Sequence, residues 1–352
     1  RRAFHNELLW GPKGAVEVVI GEGPWCEMAT PRSSSSSRVL PLLVSTPLRS
    51  GQEGTVEVIR SLDPSHDRYL LDHQLDGKPV FPFAMAMELM AEVVQAGWPE
   101  WEVVGIRSSR LLRGIVLADA IRKIRVIARP HPESLAGELL EVDVEIGEIE
   151  KPEHPNYRAM VQLGKRLPSS PSGELESLSS LRPFPLTVDD AYRQWLFHGP
   201  CFQGISTIEG ISEEGICAIV QPSSPAQGLF QNGQGHWVID PVLLDCGFQL
   251  AILWERAYHD MTPLPNRFKL YHRFGSPSGS PVRCSLRAWS REGGHNLLTD
   301  VYFQETTTGR VIGILEGMEF SCSQALNRLA QVRYAIARPG GRSLFTVQGD
   351  GE

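Results

Sequence analysis

The sequence predicts an α+β fold made of two halves of one design. Two apolar runs of good helix formers, residues 83–97 and 241–258, each follow or begin with a proline. Each run is followed by several segments that alternate apolar and polar residues in the manner of half-buried strands. Between the two series, residues 167–185 turn over to Ser, Pro and Gly, the composition of a linker.

The elements follow in chain order. "AVEVVI" (15–20) reads as a short strand between glycine-containing turns, and "ATPRSSSSSRVLP" (29–41) as a polar surface loop or linker. "GTVEVIRSL" (54–62) alternates like a strand. Pro82 precedes the helix "FAMAMELMAEVVQAG", which Gly97 stops. Strands are expected at "WEVVGIRSS", "RKIRVIARP", "LLEVDVEIGEIE" and "YRAMVQLGK". After the linker, "GISTIEGIS" and "GICAIVQP" read as a hairpin. The second helix lies within "HWVIDPVLLDCGFQLAILWERAY", with Asp240 as N-cap and Pro241 at its first position. "RFKLYHRF", "VRCSLRAWS", "LLTDVYFQET" and "GRVIGILEGMEFS" close the second series of strands. The halves share this order but almost no residue identity. A long helix wrapped in a curved antiparallel sheet, twice, is the pattern of a double hotdog. The expected divisions are residues 1–49 (a joint or the end of a preceding domain, with the Ser-rich loop), 50–166, 167–188, 189–325 and 326–352.

Composition narrows the function. A net charge of -7 and a pI near 5.9 argue against a nucleic-acid backbone as partner. No apolar run is long enough to span a membrane and no secretory signal is visible, so the cytoplasm is the default location. Cys26, Cys201, Cys217, Cys246, Cys284 and Cys322 are widely spaced, with no Cys-x-x-Cys pair, so neither a zinc site nor a disulfide framework is expected. No GxGxxG follows a strand, and the remaining histidines lack metal-ligand spacing.

Three stretches could carry chemistry. In "DHQLDGKPVFP", His73 could be a turn residue, a metal ligand or a base. Gly77 permits unusual backbone geometry and close approach of a ligand, and the helix start after Pro82 offers free N–H groups and a positive dipole end. That set suits abstraction of a proton beside a carbonyl. In "DPVLLDCGFQ", Asp245 and Gln249 share a helix face, where the Gln amide can hold the carboxylate. Leu243, Leu244, Cys246 and Phe248 would raise its pKa and suit it to donate a proton; the alternative is a solvated Asp on the helix's outer edge. In "FHGPCFQG", His198 either lines a pocket or belongs to a structural turn, and a Cys201/His198 nucleophile finds no supporting signature.

Taken together these residues resemble the dehydratase domains of type I polyketide synthases, including iterative and lipid-type synthases. "HQLDGKPVFP" matches HxxxGxxxxP through His73, Gly77 and Pro82, and "DCGFQ" matches DxxxQ through Asp245 and Gln249. "HGPCFQG" is similar to YGPxFxG through Gly199 and Phe202, and "LPNRFKLYHR" and "DVYFQETTTGRVIGILEGMEF" resemble later family segments in the same order. The likeness spans roughly residues 50 to 322.

The resemblance implies a double hotdog in which His73 and Asp245 meet in one tunnel and dehydrate a β-hydroxyacyl thioester. His73 takes the α-proton, Asp245 protonates the departing hydroxyl, Gln249 orients Asp245, and N–H groups around Gly77 bind the thioester carbonyl. Pro82, His198, Gly199 and Phe202 support the substrate. No metal or organic cofactor is implied, since the substrate rides on the phosphopantetheine of an acyl carrier protein. Adjacent synthase domains, a ketoreductase upstream among them, and a homodimer are implied as partners. "ELLWGPKGAVEVVIGEGPW" looks like the end of such a preceding domain, which would make the chain a piece of a larger multienzyme. Two departures bear on substrate positioning: His198 stands where the family has Tyr, and Asp240-Pro241 where it has His-Pro. A product-template-like cyclase and a non-catalytic double hotdog used for docking or dimerisation are the alternatives.

Overall fold

The computed structural model describes residues 39–44, 46–117, 121–131, 138–171, 178–226, 229, 233–290 and 295–330. The first half contains β1 (Leu48–Ser50), β2 (Val56–Leu62), a small hairpin of β3 (Gln74–Leu75) and β4 (Lys78–Pro79), and helix α1 (Phe83–Gly97). It continues with β5 (Glu102–Leu111), β6 (Arg122–Pro130), β7 (Leu139–Glu148) and β8 (Tyr157–Gly164). A short helix α2 (Val188–Gln194) leads into the second half: β9 (Ile205–Ser212), β10 (Gly215–Val220) and α3 (Pro241–His259). Strands β11 (Thr262–Arg273), β12 (Val282–Ser290), β13 (Asn296–Glu305) and β14 (Val311–Ser323) complete it.

The strands form one twelve-stranded antiparallel sheet ordered β1-β2-β6-β7-β8-β5-β11-β14-β13-β12-β10-β9. Outward from the β5–β11 pairing, each half repeats the same connectivity around its own helix. The reason is burial. Every residue from Phe83 to Gln95 of α1 and from Pro241 to Glu255 of α3 is buried, so each helix needs cover on all sides. The sheet supplies that cover, α1 packing on β2 and β5–β8, α3 on β10–β13, and the helices on each other. Strands such as β7 and β13 alternate buried and accessible residues, which turns one face to the helix. This is the predicted double hotdog.

Some boundaries differ from expectation. Leu42 and Leu43 are buried in the core and β1 begins at Leu48, so the first half starts before residue 50. Within 167–188, Leu178 is buried and Arg182 bridges Ile211 of β9, so part of the linker packs as structure. Leu329 and Ala330 are buried beyond the expected end at 325. Isolated apolar residues in polar stretches have no period, and periodicity cannot detect them. Helix α2, unforeseen, is set by Thr187, whose side chain accepts from the Asp190 N–H. The proposed strand at 15–20 and the Ser tract at 33–37 lie outside the described residues.

Candidate active site

His73 sits between β2 and α1, held by a local hairpin. Asp76 and Gly77 have φ of +50° and +75°, and with two residues between β3 and β4 they make a tight turn that matches strand twist. Lys78-Pro79 thereby folds back, and the Val80 N–H donates to the His73 carbonyl (3.0 Å). The Val80 carbonyl lies 2.9 Å from His73 Nδ1. A carbonyl only accepts, so Nδ1 carries the hydrogen and Nε2 keeps its lone pair. Burial pushes the His73 pKa down to about 4, against the pull of the Val80 hydrogen bond, and the ring is neutral above that.

Asp245 projects from the second turn of α3. Asp240 accepts from the Val242 and Leu243 N–H groups as the N-cap and is held by Ser223, so it is fully used at the helix end. Asp245 has no such duty. It is 3% exposed, which decides between the two readings of its spacing in favour of the buried one. Burial raises its pKa to about 7, opposed by the Gln249 amide, whose Nε2 donates to Oδ2 at 2.8 Å. His198 Nε2 lies 3.3 Å from the same oxygen. A carboxyl that is protonated near neutrality beside a neutral imidazole forms an acid and a base in one place.

The two halves are stitched at this point. His73 and His198 form an isolated antiparallel bridge, Gly199 N–H donates to the Asp72 carbonyl (2.7 Å), and Cys201 N–H to the Asp72 carboxylate (2.9 Å). A Cβ on Gly199 would fall 2.0 Å from Asp72 Oδ1, so only glycine allows this approach. The rings of Phe197 and Phe202 stand edge-on to His73 at 5.5 and 5.7 Å. The Phe202 carbonyl accepts from Gln249.

His73 and Asp245 line a cavity of about 330 Å³ whose other walls include Phe83, Phe197, Phe248 and Phe320. A larger groove of about 520 Å³ along β5, β11, β13 and β14 is lined by charged side chains and has no histidine among its lining residues. Gly77, expected beside the substrate carbonyl, is at the hairpin tip and does not line the cavity. Its glycine character answers to the turn. Pro82 is the N-cap of α1 and makes no side-chain cap hydrogen bond, and Phe83 at the helix start lines the cavity. The Cys201 thiol is pushed up to about 12 by burial and by Asp72, so it holds no thiolate for nucleophilic work.

The donor atoms of His73, His198 and Asp245 lie within 4.8 Å of one another, compact enough for a divalent cation. Gln249 aims an amide hydrogen at Asp245 Oδ2, and a cation bound at that oxygen would face it. That donor set fits proton transfer better. Sequence spacing did not reveal Asp72 or Tyr192, whose hydroxyl bonds Gln249; each acts on residues remote in the chain.

Comparisons with known proteins agree with the double-hotdog fold. Residues 41–141 match the family described as "Polyketide synthase dehydratase domain", and residues 174–330 the "Polyketide synthase dehydratase N-terminal domain". A curated relative, a polyunsaturated fatty acid synthase polypeptide of Thraustochytrium sp., is 26% identical over 264 residues, 71% of this chain. The aligned part is only 9% of that relative's length. Among solved structures, the dehydratase domain of a mycocerosic acid synthase-like polyketide synthase superposes with a TM-score of 0.61 at 20% identity, over 82% of this chain and 98% of that one. The dehydratase domain of PpsC from Mycobacterium tuberculosis, in complex with C12:1-CoA, gives 0.59 at 20% identity, over 81% and 100%. The dehydratase domain from the CurF module of the curacin polyketide synthase gives 0.61 at 18%, over 81% and 100%.

Proposed function

Because the chain belongs to the polyketide synthase dehydratase domains, we propose that it dehydrates a β-hydroxyacyl thioester with His73 as base and Asp245 as acid. The observation that carries this is the convergence, on one apolar cavity, of a histidine with a free Nε2 and a buried carboxyl raised to about 7. His73 Nε2 removes the α-proton, and the electron pair moves toward the thioester carbonyl. The first turn of α1, whose Phe83 lines the cavity, would supply amide donors for the oxygen that gains charge. As the Cα–Cβ double bond forms, the Cβ–O bond breaks and Asp245 gives its proton to the leaving hydroxyl, which departs as water. The enzyme ends with His73 protonated and Asp245 ionised, and a single proton passed back restores both.

The reaction balances without a redox or metal partner, so no cofactor is needed beyond the phosphopantetheine arm of an acyl carrier protein. That carrier, neighbouring synthase domains and a second copy of the chain are the proposed partners. Likeness to a polyunsaturated fatty acid synthase supports an aliphatic acyl chain as substrate. A cavity of about 330 Å³ walled by aromatic rings suits an extended acyl segment better than a folded polyketone, which favours dehydration over cyclisation. No helix among the described residues is long and apolar enough to cross a membrane.

The test is turnover of a β-hydroxyacyl carrier-protein substrate or short thioester surrogate to the enoyl product. The wild type should form enoyl thioester, and His73→Ala should lose about 10³-fold in kcat, the scale of positioned acid–base catalysis. Absence of product from the wild type, or full activity in His73→Ala, overturns the assignment.

A further inference from the structure

We propose that Tyr192 is a positioning residue for the acid: through Gln249 it aims an amide N–H at Asp245 Oδ2 and leaves Oδ1 as the oxygen that delivers the proton. This rests on the role given to Asp245 above. Tyr192 lies on α2, in the segment that joins the two halves, and only 8% of it is exposed.

The direction of the chain of hydrogen bonds follows from elementary donor and acceptor rules. The Ile205 N–H donates to the Tyr192 hydroxyl oxygen at 3.1 Å, which turns the hydroxyl's own hydrogen to Gln249 Oε1 at 2.9 Å. With its oxygen thus identified, Gln249 must place Nε2 on the other side. The two hydrogens there go to the Phe202 carbonyl and to Asp245 Oδ2, both at 2.8 Å. The Phe202 carbonyl can only accept, so both ends of the amide fix the same orientation. Both polar contacts described for the Asp245 carboxyl, from Gln249 and His198, fall on Oδ2. An oxygen that already accepts the Gln249 N–H is the poorer place for the acidic proton, and Oδ1 carries it.

An amide donor also stabilises the ionised carboxylate, so weakening it must raise the carboxyl's pKa. The titratable groups around Asp245 are His73 from the loop before α1, His198 from the turn before β9, Cys246 beside it on α3, and Tyr192 itself. All but Tyr192 remain in Tyr192→Phe, which deletes one hydroxyl and keeps the ring.

The experiment compares wild type, Tyr192→Phe, Gln249→Leu and the double variant by two readouts. One is the pH profile of kcat and kcat/KM. The other is the carboxyl titration of Asp245 followed by 13C NMR, which needs no turnover. Tyr192→Phe should move the alkaline limb and the Asp245 titration upward by about half a pH unit, with kcat down about tenfold and KM little changed. Gln249→Leu should shift both further, and adding Tyr192→Phe to it should change nothing more, since the hydroxyl acts only through the amide. An unshifted titration in Tyr192→Phe, or full additivity in the double variant, overturns the proposal. If the titration shifts as expected while no variant, including wild type, dehydrates, the positioning stands and the assigned reaction falls instead.

Discussion

Helices α1 and α3 occupy equivalent places in the two halves, yet they treat their ends and their buried carboxylates in opposite ways. Helix α3 is closed at its N-terminus by Asp240 and carries Asp245 one turn in, facing the cavity. Helix α1 opens on Pro82 with no side-chain cap and carries Glu88 and Glu92, both fully buried. Glu88 accepts from the Val238 and Ile239 N–H groups, where the chain approaches α3, and Glu92 accepts from the Leu42 N–H. Burial and mutual repulsion raise Glu88 well above the usual carboxylate range, and burial raises Glu92 to about 8. A raised pKa is therefore common to Glu88, Glu92, Asp240, Asp245 and Glu255, all buried, and it does not single out the proposed acid. What separates Asp245 is its partners: a side-chain amide on one oxygen and a cavity beside it, where Glu88 and Glu92 are tied to backbone amides and to each other.

The sharpest way to break that distinction is to remove one carboxylate from each helix. Asp245→Asn keeps the shape and one acceptor oxygen, so stability should stay within about 1 kcal/mol of wild type while kcat falls about 10³-fold. Glu88→Ala leaves two buried amides without partners and should cost about 3 kcal/mol or more in denaturant unfolding. The pair of results would separate a chemical carboxyl from a structural one. A large stability loss in Asp245→Asn, or none in Glu88→Ala, would merge them.

pH offers a second separation. His73 is neutral above about 4 and Asp245 protonated below about 7, so kcat/KM should be highest between those values and fall above 7 as the acid ionises. Stability answers to both helices, since Asp245, raised to about 7, loses its contribution as pH rises through that value. Glu92 has a folded pKa raised to about 8, so its contribution is fully present below the ordinary carboxylate range and is lost as pH rises through about 8. Activity that keeps rising past pH 8 would remove Asp245 from the acid's role.

Much of this architecture could be read from spacing, and the reason is local periodicity. Both helices, the Asp240 cap and the main strands from Val56 onward follow from apolar repeat and flanking Pro or Gly. Gly77 was legible as a special backbone position, but spacing could not tell a turn from a ligand contact, and the structure places it in the turn. The closure of both sheets into one through β5 and β11 left no local mark, because strand pairing depends on the partner. The same holds for the close approach of Gly199 to Asp72 and for Tyr192, where one hydroxyl matters and its partner comes from α3. The Thr187-x-x-Asp190 spacing was a signal that could have marked α2 and fixed Tyr192 in space, though not what Tyr192 touches.

The smallest expected effect tests the difference between the two helix ends. If the open end of α1 serves the developing oxyanion, a side chain that caps it should compete for the same N–H groups. Pro82→Ser installs such an acceptor, and Pro82→Ala removes the same ring without one. A serine at this position should bond the N–H two or three residues on, the amides of Ala84 or Met85. Stability of the serine variant should then equal or exceed that of the alanine variant by about 1 kcal/mol, while its kcat falls about tenfold further. The comparison between the two variants cancels the loss of proline rigidity, which both share. Equal kcat in the two would show that the first-turn amides stand apart from the reaction, and the uncapped end of α1 would then be a consequence of Pro82 alone.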